Sequence, residues 1–163
     1  MIRELRKADI NKVANIWLDT NITAHYFIPT QYWQNNFELV KELLLQATVY
    51  VYEDKQGIQG FIGLSDEYIE GIFVSAENQS QGIGGLLLNY IKNKKPKLSL
   101  NVYQKNIRAI SFYQREGFKI QREELDKKRI LVEDIQDIIE EQLMDLKKFE
   151  LAKKYMIYRY SYT

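Results

Sequence analysis

Cysteine is absent from the 163 residues, histidine occurs once and proline twice. The first absence removes disulfides, thiolate metal ligands and cysteine nucleophiles together, and one imidazole leaves too few ligands for a conventional zinc site. With two prolines, no Pro/Gly/Ser-rich tract and no internal repeat, nothing marks a hinge, so one domain over residues 1–163 is expected. No run of ~18 apolar residues, the length a membrane-spanning helix needs, occurs anywhere. The opening MIRELRKADI carries charges at positions 3, 4, 6, 7 and 9, where a signal peptide would be apolar; a cytoplasmic protein that engages no membrane is expected. Excess charge is lacking as well. Lys+Arg 23 against Asp+Glu 22 leaves a net charge of +1, so no global field draws the chain onto nucleic acid. Chemistry falls to carboxylates, tyrosines, hydroxyls, the one imidazole or the backbone.

What is present is ordinary globular material, 45% hydrophobic and 28% charged. At this length folding hides about two thirds of the unfolded chain's surface. Ile2–Arg6 alternates like a half-buried strand, and Asp9 stands where it would cap a helix carrying Ile10, Val13, Ile16 and Trp17 on one face. The spacing of Trp33, Phe37, Val40, Leu43 and Leu44 predicts a second helix after Pro29. Thr48–Val51 and Ile58–Leu64 read as a hairpin about the turn Asp54-Lys55-Gln56-Gly57, and Tyr68–Val74 as a further strand. An apolar helix through Leu86–Ile91 follows a Gly-rich turn. Leu98–Val102 is predicted as a strand, Ile107–Arg115 as a helix stopped by Gly117, and Phe118–Arg122 as a strand. The order β α α β β β α β α β makes the class α/β or mixed α+β around a central sheet.

The C-terminal third has a longer period. Leu131, Ile135, Ile138, Ile139, Leu143, Leu146 and Phe149 recur at spacings of three and four, with acids on the other side. That pattern predicts an amphipathic helix of roughly 20 residues, about 30 Å long, within 126–150 and before a closing strand at Tyr155–Tyr160.

The strongest local signal is the stretch from Val74 to Gly85, VSAENQSQGIGG, a strand running through a polar turn into a Gly-rich helix start. The first N–H groups of a helix have no intrahelical partner, and with the helix dipole they make a cradle for phosphate oxygens. The plain alternative is a tight turn and nothing more. Two phosphate loops are excluded by residue type: a G-x-G-x-x-G fingerprint would need glycine where Leu87 stands, and Gly-Lys-Ser/Thr is missing.

What remains, Gln79-x-x-Gly82-x-Gly84, resembles the Q/R-x-x-G-x-G/A signature of the GCN5-related N-acetyltransferases (GNAT), whose loop binds the pyrophosphate of acetyl-CoA. Asn106-x-x-Ala109-x-x-Phe112-Tyr113-x-x-x-Gly117-Phe118 is similar to that family's second signature. Ile69–Val74 looks like its fourth strand, and the opening Ile2-Arg3 with Ala8-Asp9-Ile10 like its first strand and helix. The resemblance covers residues 1 to about 122 and resumes near 154–160, leaving 126–150 as a departure. It implies a GNAT-like single domain. The central sheet would be mixed, mostly antiparallel and splayed between the fourth and fifth strands, with helices on both faces and the long amphipathic helix added before the last strand.

The resemblance implies the following roles. Acetyl-CoA is the cosubstrate and no metal is needed. Its pantetheine arm would lie along the backbone of Ile72, Phe73 and Val74, and the amides of Gln79, Gln81, Gly82, Ile83, Gly84 and Gly85 would hold its pyrophosphate. Tyr113 matches the family's general acid, and Asn106 would bond or orient the pantetheine. Phenol and thiol have comparable reference pKa values, about 10 and 8.5, which suits proton sharing. Tyr68, Glu70 and Ile72 share one face of a strand by its period of two, making Glu70 a candidate base; otherwise it is a solvated strand-end acid. His25, between the first two helices, is either a base, an acceptor contact or a structural ring. The run Lys92–Lys97 would reach the 3′-phosphate of CoA or complement a helix C-terminus. The 126–150 stripe suits core packing, a homodimer contact or a lid over the acceptor pocket.

The expected activity is acetyl-CoA-dependent transfer to a primary amine of a small molecule or peptide. A catalytically silent CoA-binding sensor or interaction module is the alternative, and a nucleic-acid-binding protein a third that the neutral charge disfavours.

Overall fold

The computed structural model describes residues 1–120 and 157–162, and the chain forms two compact units, residues 1–98 and 99–163. In the first unit β1 (Ile2–Glu4), β2 (Thr48–Asp54), β3 (Gly57–Ser65) and β4 (Tyr68–Val74) lie side by side in chain order, each pair antiparallel. Helices α1 (Ile10–Ala24), α2 (Thr30–Asn35) and α3 (Phe37–Gln46) stand between β1 and β2, and α4 (Ile83–Lys92) follows β4.

Two expectations for this region are corrected. The single helix after Pro29 is two, broken at Asn36, whose φ of −100° and ψ of 4° leave the α region. Its Nδ2 donates to the Tyr32 carbonyl at 2.7 Å, the local bonding by which asparagine competes with a helix. Asp9 does not cap α1. Its carboxylate accepts from the Arg6 N–H at 2.8 Å and pairs with Arg3, which also reaches Glu53 on β2.

The sheet has an apolar layer on each face. Val49, Val51, Ile58 and Phe61 pack with Ile10, Val13, Ala14, Ile16 and Leu44 of the helices. A Cβ on Gly60 would lie 3.3 Å from Ile83 Cγ2, so Gly60, and with it Ile62 and Leu64 by the period of two, face α4. Ile58 and Phe61 share a face although three positions apart. A bulge explains it: Tyr52 opposes Gly60 and Glu53 opposes Ile58, leaving Gln59 as an inserted residue.

A second bulge lies one strand along. Gly71 opposes Gly63 and Ile69 opposes Leu64, so Glu70 is the inserted residue of β4. Ile69 and Ile72, each paired with an α4-facing residue of β3, therefore share a face. The expectation that Tyr68, Glu70 and Ile72 do so by simple alternation is corrected by that insertion.

In the second unit β5 (Leu98–Tyr103), β7 (Ile157–Tyr162) and β6 (Lys119–Ile120) are neighbours in that order, β6 and β7 antiparallel, with α5 (Ile107–Arg115) between β5 and β6. Gly117 ends α5 at a φ of +97°, conformational space that a side-chain-bearing residue rarely enters. The helix expected within 126–150 lies outside the described residues. No helix among the described residues is long and apolar enough to cross a membrane.

Candidate active site

The chain leaves β4 through a single 3₁₀ turn at Ala76–Asn78 and passes Gln79 in extended conformation. It then takes two left-handed residues, Ser80 at φ +66° and Gly82 at φ +84°, before α4 begins at Ile83. A Cβ on Gly82 would meet nothing within 4 Å, so this glycine is required for its backbone angle and not for room inside the protein. Ile83 is 4% exposed and anchors the helix start. The first N–H groups of α4, on Ile83, Gly84 and Gly85, have no intrahelical carbonyl to meet and stand at the positive end of the dipole. Donors concentrated on a glycine-started helix fit a diphosphate. Gln79 serves the loop differently: its side-chain amide donates to the Val74 carbonyl at 2.9 Å, tying the loop back to the end of the strand.

Along β4 itself Ile72, Phe73 and Val74 pair with Ile62, Phe61 and Gly60. The Phe73 ring stacks on Phe61 at 4.8 Å between centroids and lies over Gly71, where a Cβ would overlap it. Glu70, one residue earlier, is exposed.

His25 follows the last residue of α1. Its Nδ1 lies 3.0 Å from Asn21 Oδ1, while Asn21 Nδ2 donates to the Trp17 carbonyl at 2.8 Å. The amide nitrogen is thereby occupied, its oxygen faces the ring, and Nδ1 carries the imidazole proton. The ring stacks on Trp33 at 5.4 Å and meets the Phe27 ring edge-on at 5.7 Å. Burial pulls its pKa down to about 4, so the imidazole is neutral through the physiological range. Tyr32 meets the Trp33 ring edge-on at 4.9 Å and burial raises the pKa of its phenol, while Trp33 Nε1 is buried without a hydrogen-bond partner.

In the second unit Tyr113 is 7% exposed and its ring meets Phe112 and Phe118 edge-on, at 5.1 and 5.6 Å. Asn106 is the N-cap of α5, its Oδ1 accepting from the Ala109 N–H at 3.2 Å. The Asn-x-x-Ala spacing thus has a local reason as well as a chemical one. Lys94, in the basic run, sits 4.9 Å from the centroid of Tyr90 and 5.6 Å from that of Tyr50, a cation–π contact.

Three polar residues escaped the sequence reading. Asn21 sits four residues before His25, one helical turn away, and that spacing was available. Gln59 is buried, and the signal for it was a polar residue and a glycine interrupting an apolar strand. Asn101 on β5 has a buried Oδ1 without a partner, which the sequence does not signal.

Comparison with known proteins bears on this arrangement. A family model described as the acetyltransferase (GNAT) domain matches residues 46–120, and one described as the ATP cone domain matches residues 116–163. The latter includes residues 126–150, where the sequence departs from the acetyltransferase pattern. Peptidyl-lysine N-acetyltransferase YiaC of Escherichia coli (strain K12) is 34% identical over 122 residues, covering 74% of this chain and 84% of that protein. Peptidyl-lysine N-acetyltransferase YjaB of Salmonella typhimurium is 32% identical over 127 residues, covering 77% and 88%. Among solved structures, apo-form YjaB from Escherichia coli superposes with a TM-score of 0.74 at 22% identity, over 100% of this chain and 97% of that one. An N-acetyltransferase from Thermoplasma acidophilum in complex with coenzyme A gives 0.64 at 19%, over 74% and 90%.

Proposed function

The chain belongs to the GNAT acetyltransferases and is an acetyl-CoA-dependent N-acetyltransferase, and we propose from that premise that its acceptor is the side-chain amine of a lysine in a peptide or protein. The observation that carries the donor half is the turn from β4 into α4, where Ser80 and Gly82 are left-handed and α4 starts on glycines. The acceptor half is supported by two relatives above 30% identity, both named for peptidyl-lysine acetylation.

The reading assigns roles as follows. The N–H groups of Gln79, Gln81, Gly82, Ile83, Gly84 and Gly85 take the pyrophosphate of acetyl-CoA, and the backbone of Ile72–Val74 takes the pantetheine. Asn106, beyond capping α5, orients that arm. A lysine ammonium, reference pKa about 10.4, must lose its proton before it attacks. Glu70 accepts that proton through water, its exposure giving solvent access, and the neutral His25 is a contact for the uncharged amine. Attack forms the N–C bond and places negative charge on the thioester oxygen, which a backbone N–H near the Glu70 bulge stabilises. The C–S bond then breaks, Tyr113 gives its proton to the departing thiolate, and the extra proton shed by the new amide nitrogen restores the phenol through solvent, leaving the amide and free CoA.

The test is thiol release from acetyl-CoA with a lysine-containing peptide, the same peptide with Lys→Arg, and spermidine. Release with the lysine peptide alone is expected. Turnover with spermidine alone would replace the acceptor class, and CoA binding without release on a wide amine panel would overturn both the acceptor and the assigned chemistry.

A further inference from the structure

Gln59 and Asn21 are the buried polar side chains among the described residues, and Gln59, 6% exposed, is the third residue of β3, a strand otherwise without polar side chains before Ser65. Burying an amide without partners costs free energy, so where its hydrogen bonds go shows what it is for. Its Oε1 accepts from Asn78 Nδ2 at 2.6 Å and from Ser75 Oγ at 3.3 Å. Its Nε2 donates to Asp54 Oδ1 at 3.2 Å. Its backbone carbonyl accepts from the Ser75 N–H at 2.9 Å. Asn78 and Ser75 are further joined, Nδ2 to Oγ at 3.0 Å and N–H to carbonyl at 2.9 Å. One side chain thus holds both ends of the 3₁₀ turn, at the point where β4 becomes the coenzyme loop.

The backbone is shaped to make this possible. Gln59 is the inserted residue of the β2–β3 bulge, and a bulge re-aims the side chain it inserts. The next residue is Gly60, where a Cβ would come within 2.9 Å of the Phe73 carbonyl, so β3 approaches β4 closely just beside the amide. Four residues after Asn78 comes the left-handed Gly82.

We infer that Gln59 is a positioning residue for coenzyme binding: through Ser75 and Asn78 it fixes the path of the chain into residues 79–85, so that their N–H groups are already arranged when the pyrophosphate arrives. This rests on the reading of that loop as the coenzyme site. Preorganisation of this kind acts on affinity. Gln59 needs no contact with the acyl group, and its loss should appear in binding before it appears in the chemical step.

The experiment measures CoA affinity by calorimetry, KM for acetyl-CoA, kcat at saturating acetyl-CoA and thermal stability, for the wild type, Gln59→Leu, Asn78→Ala and the double variant. Removing hydrogen bonds of this type is expected to raise both Kd and KM about three- to tenfold, with kcat changed less than twofold. The double variant should bind no more weakly than the weaker single one, because both remove the same link. Should Gln59→Leu fail to fold, Asn78→Ala still decides, since it cuts the link from the loop side. A lowered melting temperature with unchanged Kd and KM in Asn78→Ala would make the cluster purely structural and overturn the inference. Independent, additive losses in the double variant would overturn it as well. A wild type that binds no CoA would instead overturn the reading of the loop, and the inference with it.

Discussion

His25 Nδ1 and Asn21 Oδ1 lie 3.0 Å apart, one turn of α1 from each other, and this contact settles which ring nitrogen holds the lone pair. Asn21 is itself fixed by the Trp17 carbonyl, so the ring is both oriented and held in one tautomer. Its two aromatic neighbours, Trp33 and Phe27, carry no anion to balance a charge there, and burial disfavours one. The imidazole is a polar group kept neutral, and that has a consequence for stability.

With a folded pKa of about 4 against 6.5 for an ordinary histidine, the unfolded chain takes up this proton first as pH falls. The stability contributed by the neutral ring is therefore complete above about pH 6.5 and is lost progressively down to about pH 4. Between pH 7 and pH 5 the wild type should lose roughly 2 kcal/mol more than His25→Gln. Denaturant titrations of both proteins at the two pH values measure the difference, and parallel losses would mean the ring is not buried in its neutral form. No inflection near pH 6.5 in kcat/KM should trace to His25.

Tyr113 tests the chemistry. Replacing it with Phe keeps the ring between Phe112 and Phe118 and removes only the hydroxyl. Loss of a general acid should lower kcat about 10²–10⁴-fold while the Kd for CoA stays within twofold. A variant that loses affinity and kcat together would show the phenol to be part of the scaffold.

Gly82 tests the donor site. At φ +84° any residue with a Cβ is strained, by about 1–2 kcal/mol in the left-handed region, although no neighbour would clash with it. Gly82→Val should raise the Kd for CoA at least tenfold, because relaxing the angle turns the first N–H groups of α4 away from their common focus. Calorimetry with CoA reads this directly; unchanged affinity would place the diphosphate elsewhere.

The sequence revealed the repeating parts of this fold and concealed its interruptions. β4 and α5 fall at the bounds their apolar spacing predicted, Tyr68–Val74 and Ile107–Arg115, because both are set by local pattern. The bulges at Gln59 and Glu70 escaped because alternation assumes that every residue advances the strand by one step, and an inserted residue is visible only in the pairing of two strands. That omission reached the site, because the face assigned to Glu70 depended on the alternation. Asn36 breaks a helix whose apolar spacing runs straight through the break. At Asp9 partners on its N-terminal side, the Arg6 N–H and Arg3 on β1 with Glu53 beyond it, outcompeted the capping role that residue type alone suggests.

That same cluster carries the last prediction. Arg3 reaches Asp9 at 2.8 Å and Glu53 at 3.0 Å, and its guanidinium beside them holds both carboxyls below the ordinary carboxylate range. A depressed carboxylate binds its proton later in the folded chain than in the unfolded one, so its contribution is present above about pH 4 and disappears as pH falls through the folded value. After solvent screening the Asp9 arm contributes no more than about 1 kcal/mol. Arg3→Met should therefore be less stable than the wild type at pH 7, with the gap closing below pH 4 and narrowing in high salt. The opposite dependence, a gap that widens in acid, would mean that Arg3 acts through the packing of its stem and not through its charge. Arg3→Lys separates the two: it keeps the charge but not the fork that grips two carboxylates at once, and it should recover only part of the loss.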